Sequence, residues 1–466
     1  MHLPSRLRAI VGFIVLLAVS SLANAAPPSD AEVLSKVDAI AADYLTRPSA
    51  VGLSIGVARK GQVIVAKGYG LADAEFGVPA DKDTMFRIGS VTKQYTAAAI
   101  MRLVEQGKIS LTDDLAKYIP EFPTQGNTVT IYNLLNHSSG IPSYTDIGEE
   151  WVKVQPLELT HEQMLALVKD KPFDFKPGEK WAYNNTAYYM LGMIIEKVSG
   201  KTYAEYLQEE FFTPLKLERT RYDSNSELMK NRAQGYSMRQ GKLVNDKPLG
   251  MSQPYAAGSL ISTGEDLVKW SMALSSGKVV KPESYKMMTT PFITLDGENT
   301  HYGFGLGIDD WEGRRCIRHG GGIMGFNSML MWLPEEDVHI AVISNGEPLP
   351  SGRIANEIAR AAMGIEKVAA KNEPITPDVM TKIVGNYRME QIGMDVKIWE
   401  DAGKAMLQAS GEGQGAFAIQ WQGPDVNGGN EFRASFDTEV KMLFADDGQS
   451  FTLFQGGGQA VAKRVK

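Results

Sequence analysis

Three stretches hold residue types that could carry out covalent chemistry. The first is RIGSVTKQYT, Arg87 to Thr96, where Ser90 stands three residues before Lys93. Hydrolysing an acyl compound through a serine requires three things. The hydroxyl must lose its proton, the oxyanion must be held, and the leaving group must gain a proton. On a helix, residues i and i+3 share a face, so Lys93 can reach the Ser90 oxygen. The free N–H groups and the positive dipole end of a first helical turn favour negative charge developing there. A lysine with a pKa near ~10.4 is protonated at pH 7. It acts as a base only where burial or a neighbouring cation lowers that value. Taken alone, the spacing fits a polar helix cap equally well. A second copy, Ser275–Lys278, has Gly277 between its partners. That glycine reads as a helix stop, which leaves no rigid shared face.

The second stretch is Tyr183-Asn184-Asn185, which follows the turn-like Lys176-Pro177-Gly178. A tyrosine held near Lys93 would ionise more easily and could shuttle the proton. A loop aromatic packed on the core is the other reading. The third is RHGGG, Arg318 to Gly322, just after an expected strand. Glycines after His319 would let backbone approach a substrate and offer N–H groups to an oxyanion. They would also suit a plain strand-to-turn junction. The oxyanion loop of α/β-hydrolases precedes a nucleophile on a Gly-x-Ser-x-Gly elbow; no such elbow is expected here and His319-Gly320-Gly321-Gly322 comes late, so that reading fails on content and order.

Other chemistries find little support. His161-Glu162 lacks the second histidine that a zinc-binding helix needs at i+4. The six histidines show no ligand spacing, and the glycine run near Gly456 lacks the Lys-Ser/Thr of a phosphate loop. Neither metal nor cofactor is expected. Cys316 is the only cysteine, so no internal disulfide forms, and its alternating surroundings, RRCIRH, suggest a small buried strand residue.

The elements that must position these residues can be read from periodicity. Val33, Leu34, Val37, Ile40, Ala41, Tyr44 and Leu45 fall at helical spacing. VGLSIGVARKGQVIVAKGYG reads as two strands turning at Lys60-Gly61. A helix is predicted from Thr92 to about Glu105, ending before Gly107 and placing Ser90 at or just inside its start. Helical periodicity returns after Asn185 and breaks at Gly200. RRCIRHGG, SMLMWLP and VHIAVIS are late strands, followed by an amphipathic helix over about Arg353 to Met363. Strands at both chain ends with helices between them imply one sheet covered by helices, residues 26–365. Residues 366–376 read as a linker. From 377 to 466, DVKIW, AMLQAS, AFAIQW, EVKMLFA and SFTLF alternate between turn-rich spacers. That pattern marks a small antiparallel barrel or sandwich.

Bulk properties narrow the partners. The chain has 466 residues and a formal charge of −7, with no basic footprint for nucleic acid. Residues 1–25 read as a secretory signal: Arg6 and Arg8, an apolar run over Ile10–Leu22, then Ala23-Asn24-Ala25. The mature chain is therefore expected to be exported to the periplasm or medium without a membrane anchor. Its expected partner is a small-molecule or peptide substrate.

The ordered set of Ser-x-x-Lys, Tyr-x-Asn and a late His-Gly-Gly resembles that of the serine β-lactamase-like hydrolases. The nearest branch holds class C β-lactamases, DD-peptidases and related esterases and D-aminopeptidases. The resemblance spans about Val33 to Met363. It includes LLNHSSGI, FKPGEKWAYNNTAYYMLGMIIEKVSG, AAGSLISTGEDLVKW, YGFGLGI and HGGGIMGFNS. It implies an antiparallel sheet flanked by helices, with a lipocalin-like β-barrel appended. It also implies roles. Ser90 would be the acylated nucleophile, Lys93 its partner in deprotonation, and Tyr183 the general base and leaving-group acid. Asn185 would orient Lys93 and the substrate amide, and the N–H groups of Ser90 and Gly322 would hold the oxyanion. His319 stands where the β-lactamases carry the lysine of Lys-Thr-Gly, with Gly320 and Gly321 completing the triplet. A mostly neutral histidine there weakens recognition of a β-lactam carboxylate. An ester- or amide-hydrolysing enzyme is therefore expected, with a penicillin- or cell-wall-peptide-binding protein of little turnover as the alternative.

Overall fold

The computed structural model describes residues 27–366, 371, 373–389, 393–410, 415–425, 428–435, 440–455 and 458–465. The segment read as a signal, and residues 367–370 and 372 of the linker region, lie outside the described residues. No helix among the described residues is long and apolar enough to cross a membrane.

The hairpin at Lys60-Gly61 forms from strands Gly52–Arg59 and Gln62–Asp73. Lys60 and Gly61 take φ of 52° and 73°, the left-handed pair a tight two-residue turn requires. This hairpin joins strands from the far end of the chain in a seven-stranded antiparallel sheet. The spatial order is Val78–Pro79, Gln62–Asp73, Gly52–Arg59, Val338–Ser344, Phe326–Leu333, Arg314–Ile323 and Gly307–Trp311.

Strand alternation assigns each face its cover. Leu53, Ile55 and Val57 pack with Val33, Val37 and Tyr44 of helix Asp30–Tyr44, and with Ile354 and Ile358 of helix Ser351–Met363. On the opposite face, Ser54 accepts a hydrogen bond from the Gly264 N–H at 2.9 Å, drawing helix Gly264–Ser275 against the sheet. Trp270 of that helix stacks on Tyr95 with ring centres 3.8 Å apart. Tyr95 belongs to helix Thr92–Glu105, which runs through the larger core and is buried along most of its length. Helix Asn185–Ser199 packs beside it and ends at Gly200, whose φ is 72°. The central helices therefore bring Lys93 and Asn185 together beneath the sheet.

The C-terminal region is a closed, eight-stranded antiparallel barrel running from Gly385–Met389 to Gly458–Val465. Pairing of Asn386–Arg388 with Lys463–Val465 closes it and decides between barrel and sandwich. Five of its strands coincide with the alternating runs. Strands Gly385–Met389, Asn430–Ala434 and Gly458–Val465, and the short helix Pro377–Ile383, go beyond them. Tyr387, Phe432, Phe444 and Phe451 meet ring to ring inside, so side chains fill the interior.

Candidate active site

Ser90 sits in one 3-10 turn, Gly89–Val91, that runs directly into helix Thr92–Glu105. That helix has no side-chain cap, so Ser90 is not a capping residue. Lys93 is fully buried. Its Nζ lies 3.2 Å from Ser90 Oγ, 2.8 Å from Asn185 Oδ1 and 2.9 Å from the Ala257 carbonyl oxygen. Burial holds the amine well below the usual lysine range. The amine donates to Ser90 Oγ, Asn185 Oδ1 and the Ala257 carbonyl, and of these three only the Ser90 hydroxyl could donate in return once the amine is neutral.

Each partner is held by its own segment. Asn185 donates through Nδ2 to Thr145 Oγ1 at 3.1 Å, which fixes Oδ1 toward Lys93. Ala257 belongs to a strap laid along the nucleophile helix. Thr96 Oγ1 donates to the Ala256 carbonyl at 2.6 Å, and the Leu260 N–H donates to Thr92 Oγ1 at 3.2 Å. The AAGSL motif is therefore the support for the third ligand of the lysine. Spacing along the chain could not reveal this, because Ala257 and Lys93 are 164 residues apart.

Tyr183 lies beside this cluster, its ring centre 4.7 Å from Lys93 Nζ. The structure overturns the expectation that it ionises more easily. Burial pushes its phenol well above the ordinary tyrosine value, and its interaction with the Ser90 hydroxyl offsets this only in part. Burial disfavours the charged form of Lys93 as well, so the lysine does not reverse this. Tyr183 is accordingly a proton donor at neutral pH.

Strand Arg314–Ile323 brings the glycine run to the nucleophile turn. Gly89 has φ of 49°, and a Cβ there would lie 3.0 Å from the nitrogen of Gly322. A Cβ on Gly321 would fall 2.0 Å from the Ile88 carbonyl oxygen and 2.4 Å from Ser328 Oγ. Ser328 Oγ itself donates to that Ile88 oxygen at 2.8 Å. Two glycines thus allow the strand to meet the turn and set the Gly322 N–H beside the Gly89–Ser90 peptide. Gly320 and Gly322 have more room: the nearest atoms to a Cβ are 3.4 and 3.7 Å away.

His319 is buried at the other end of this run. Its Nδ1 donates to the Gly320 carbonyl at 2.6 Å, and its Nε2 accepts from the Tyr302 hydroxyl at 2.8 Å. The carbonyl can only accept, so it fixes the tautomer. Burial first, then Lys93, holds the imidazole down at about 4. His319 is therefore neutral at pH 7. Trp181 and Tyr183 both flank Tyr302, making this end of the site aromatic and uncharged.

Other hydroxyl, imidazole and thiol groups lie elsewhere. Ser275 ends its helix and Gly277 has φ of 78°, so Ser275 and Lys278 share no face. Contrary to expectation, Gly52-Leu53-Ser54-Ile55-Gly56 does fit the Gly-x-Ser-x-Gly pattern, but it forms no elbow, because Ser54 lies mid-strand, buried and bonded to Gly264. Ser271, His339 and Asp337 align as a Ser–His–Asp series at 2.7 and 3.3 Å. Ser271 sits within a helix whose N–H groups are already used, and it is buried. His161 bonds Tyr189 and Glu196 at 2.7 and 3.3 Å. Cys316 is buried in its strand, which pushes its thiol up to about 12.

The antiparallel sheet with helices on both faces, carrying Ser-x-x-Lys at its edge, defines the β-lactamase and transpeptidase-like fold. The Beta-lactamase family model matches residues 37–363, and the chain belongs to that family. Protein flp of Staphylococcus aureus (strain MRSA252) is 28% identical over 318 residues, covering 66% of this chain and 62% of that protein. The chain thus spans about three-fifths of the length of that curated relative. The octameric penicillin-binding protein homologue from Pyrococcus abyssi is 28% identical with a TM-score of 0.66, covering 92% of this chain and 100% of that one. A D-stereospecific amidohydrolase from Streptomyces sp. is 26% identical with a TM-score of 0.59, covering 72% of this chain and 98% of its own.

Proposed function

We propose that this chain is an exported serine hydrolase that forms an acyl-enzyme on Ser90 with an ester or amide substrate. One observation carries the reading: a fully buried Lys93, disfavoured as a cation by that burial, lies 3.2 Å from Ser90 Oγ and is held there by Asn185 Oδ1 and the Ala257 carbonyl. Lys93 takes the hydroxyl proton as Ser90 attacks the carbonyl carbon. The N–H groups of Ser90 and Gly322 hold the oxyanion. Tyr183 gives its phenolic proton to the leaving group and recovers one from Lys93. Water then attacks the acyl-enzyme, and the reverse relay frees Ser90.

The neutral, aromatic surroundings of His319 favour a substrate without a carboxylate at that end. This supports a peptidase or esterase over an efficient β-lactamase. Likeness to a D-stereospecific amidohydrolase adds amides of D-residues to the substrates worth testing. Export rests on the sequence of residues 1–25. N-terminal sequencing of the secreted product should begin at Ala26, and an intact leader in a cytoplasmic product would refute it.

The test is intact mass after fluorophosphonate or penicillin treatment, together with assays on a chromogenic cephalosporin, short nitrophenyl esters and D-amino-acid anilides. One adduct is expected on wild type and none on Ser90→Ala. Equal labelling of both removes Ser90 as nucleophile. Likeness to a penicillin-binding homologue favours a second reading, in which the site is acylated but turns over little. A burst followed by a stall on every substrate would select that reading.

A further inference from the structure

The loop Asn136–Ser143 contains a histidine with no role so far. His137 is fully buried and has φ of 63°, a left-handed backbone uncommon outside glycine, asparagine and aspartate. Its carbonyl accepts from the Ala182 N–H at 3.0 Å. Its Nδ1 accepts from the Asn184 N–H at 3.1 Å. These two bonds fall on either side of Tyr183. The imidazole also packs on the Tyr183 ring, centre to centre at 4.5 Å, and on Tyr188 at 5.0 Å and Tyr302 at 4.8 Å.

We propose that His137 is a positioning residue, holding the Ala182–Asn184 peptide at both ends so that the Tyr183 phenol stays over Lys93 and Ser90. The left-handed backbone lets carbonyl and side chain of one residue serve neighbouring N–H groups of a facing strand of loop. An accepting Nδ1 places the ring proton on Nε2, which has no nitrogen or oxygen partner among the described residues and is enclosed by aromatic rings. The ring is therefore neutral and adds no positive charge beside Lys93. Asn184 already caps helix Asn185–Ser199 through its side chain, which accepts from the Ala187 N–H at 2.8 Å. That cap anchors the C-terminal side of the loop alone. His137 supplies the N-terminal anchor and the wall against which the ring rests.

This inference rests on Tyr183 acting as the leaving-group acid. It is tested with a double-mutant cycle on the full chain, using hydrolysis of a short-chain nitrophenyl ester and of a D-alanine anilide. His137→Ala is expected to lower kcat about tenfold or more with KM little changed, the scale for a displaced catalytic group. In a Tyr183→Phe background the same change should cost less than about twofold, because its target is gone. His137→Asn should recover most of the rate, since asparagine tolerates the backbone and its Oδ1 can accept from Asn184. If His137→Ala does not fold, His137→Gln takes its place in the cycle, with the acceptor one bond further out. Equal losses in both backgrounds, or an effect on KM alone, overturn the proposal. Labelling of Ser90→Ala separates the two readings. A labelled Ser90→Ala chain removes the site assignment, whereas an inert one with an additive cycle removes only His137.

Discussion

Ser90 Oγ and Lys93 Nζ meet at 3.2 Å, one hydroxyl open to substrate and one amine sealed from water. Burying a lysine without a carboxylate is unfavourable for the charged form. In the proposed reaction the neutral amine is the form that takes the Ser90 proton. Two outcomes follow for Lys93 variants. Lys93→Arg keeps a permanent charge and cannot take a proton, so acylation should fall by about a hundredfold or more. Lys93→Met also loses activity, yet it should melt higher at pH 7. The unfolded lysine titrates near ~10.4 and the folded one lower. Between those values the unfolded chain holds an extra proton, so wild-type stability rises with pH across that window. The advantage of Lys93→Met should shrink as pH approaches 10. Melting curves at several pH values check this, and a constant difference would contradict a neutral buried lysine.

The rate–pH profile follows from the same groups. The proposed reaction needs neutral Lys93 and protonated Tyr183. The value of kcat/KM should rise as pH climbs through the depressed Lys93 value and then stay level well past neutrality, because burial raises Tyr183. His319 stays neutral above about 4 and adds no step near pH 7. Tyr183→Phe should cut turnover by about a hundredfold, more for amides than for activated esters, whose leaving groups need no proton. An alkaline fall beginning near neutral pH would mean that Tyr183 ionises early, as its position near a lysine first suggests.

How much of this was legible in the chain depends on how local each feature is. The Thr92–Glu105 helix, the Lys60-Gly61 hairpin and the stop at Gly200 follow from short-range periodicity and turn chemistry. Ser90, Lys93, Tyr183 and Asn185 could be named as candidates because their spacing was informative and their order matched a family. Ala257, Tyr302 and His137 lie inside matched motifs, yet the sequence assigns them no role. An alanine carbonyl has no sequence signature, and Tyr302 matters only because folding seats it on His319. The direction of the Tyr183 shift was also hidden. Proximity to a lysine suggests a lowered value, whereas full burial, which no sequence spacing displays, raises it.

His319 sets the charge at the aromatic end of the site. Replacing it with lysine would place a cation where the neutral ring now bonds Tyr302. His319→Lys should therefore raise kcat/KM for carboxylate-bearing substrates, such as a chromogenic cephalosporin, relative to neutral esters by about tenfold. The added charge would also press the Lys93 value lower and move the acid limb of the rate profile to lower pH. Both shifts are measured in one set of profiles. An unchanged preference would show that another group reads that end of the substrate.

The glycines of the His319 strand differ in what they must permit, and their substitution separates contact from composition. A Cβ on Gly321 would press into the Ile88 carbonyl and Ser328 Oγ at 2.0 and 2.4 Å, distances no relaxation of a side chain alone relieves. Gly321→Ala must push the strand from the Ile88–Ser90 turn and carry the Gly322 N–H away from the oxyanion position. Loss of one such donor costs about a hundredfold or more in kcat. Gly322→Ala meets nothing closer than 3.7 Å and keeps its N–H. It should retain turnover within a few fold, although its methyl group enters the space beside the substrate. Fluorophosphonate labelling rates for the two variants, normalised to folded protein, make the comparison. If Gly322→Ala loses as much as Gly321→Ala, the space beside Gly322 is occupied by substrate backbone. If neither loses activity, the oxyanion is held elsewhere than at this strand.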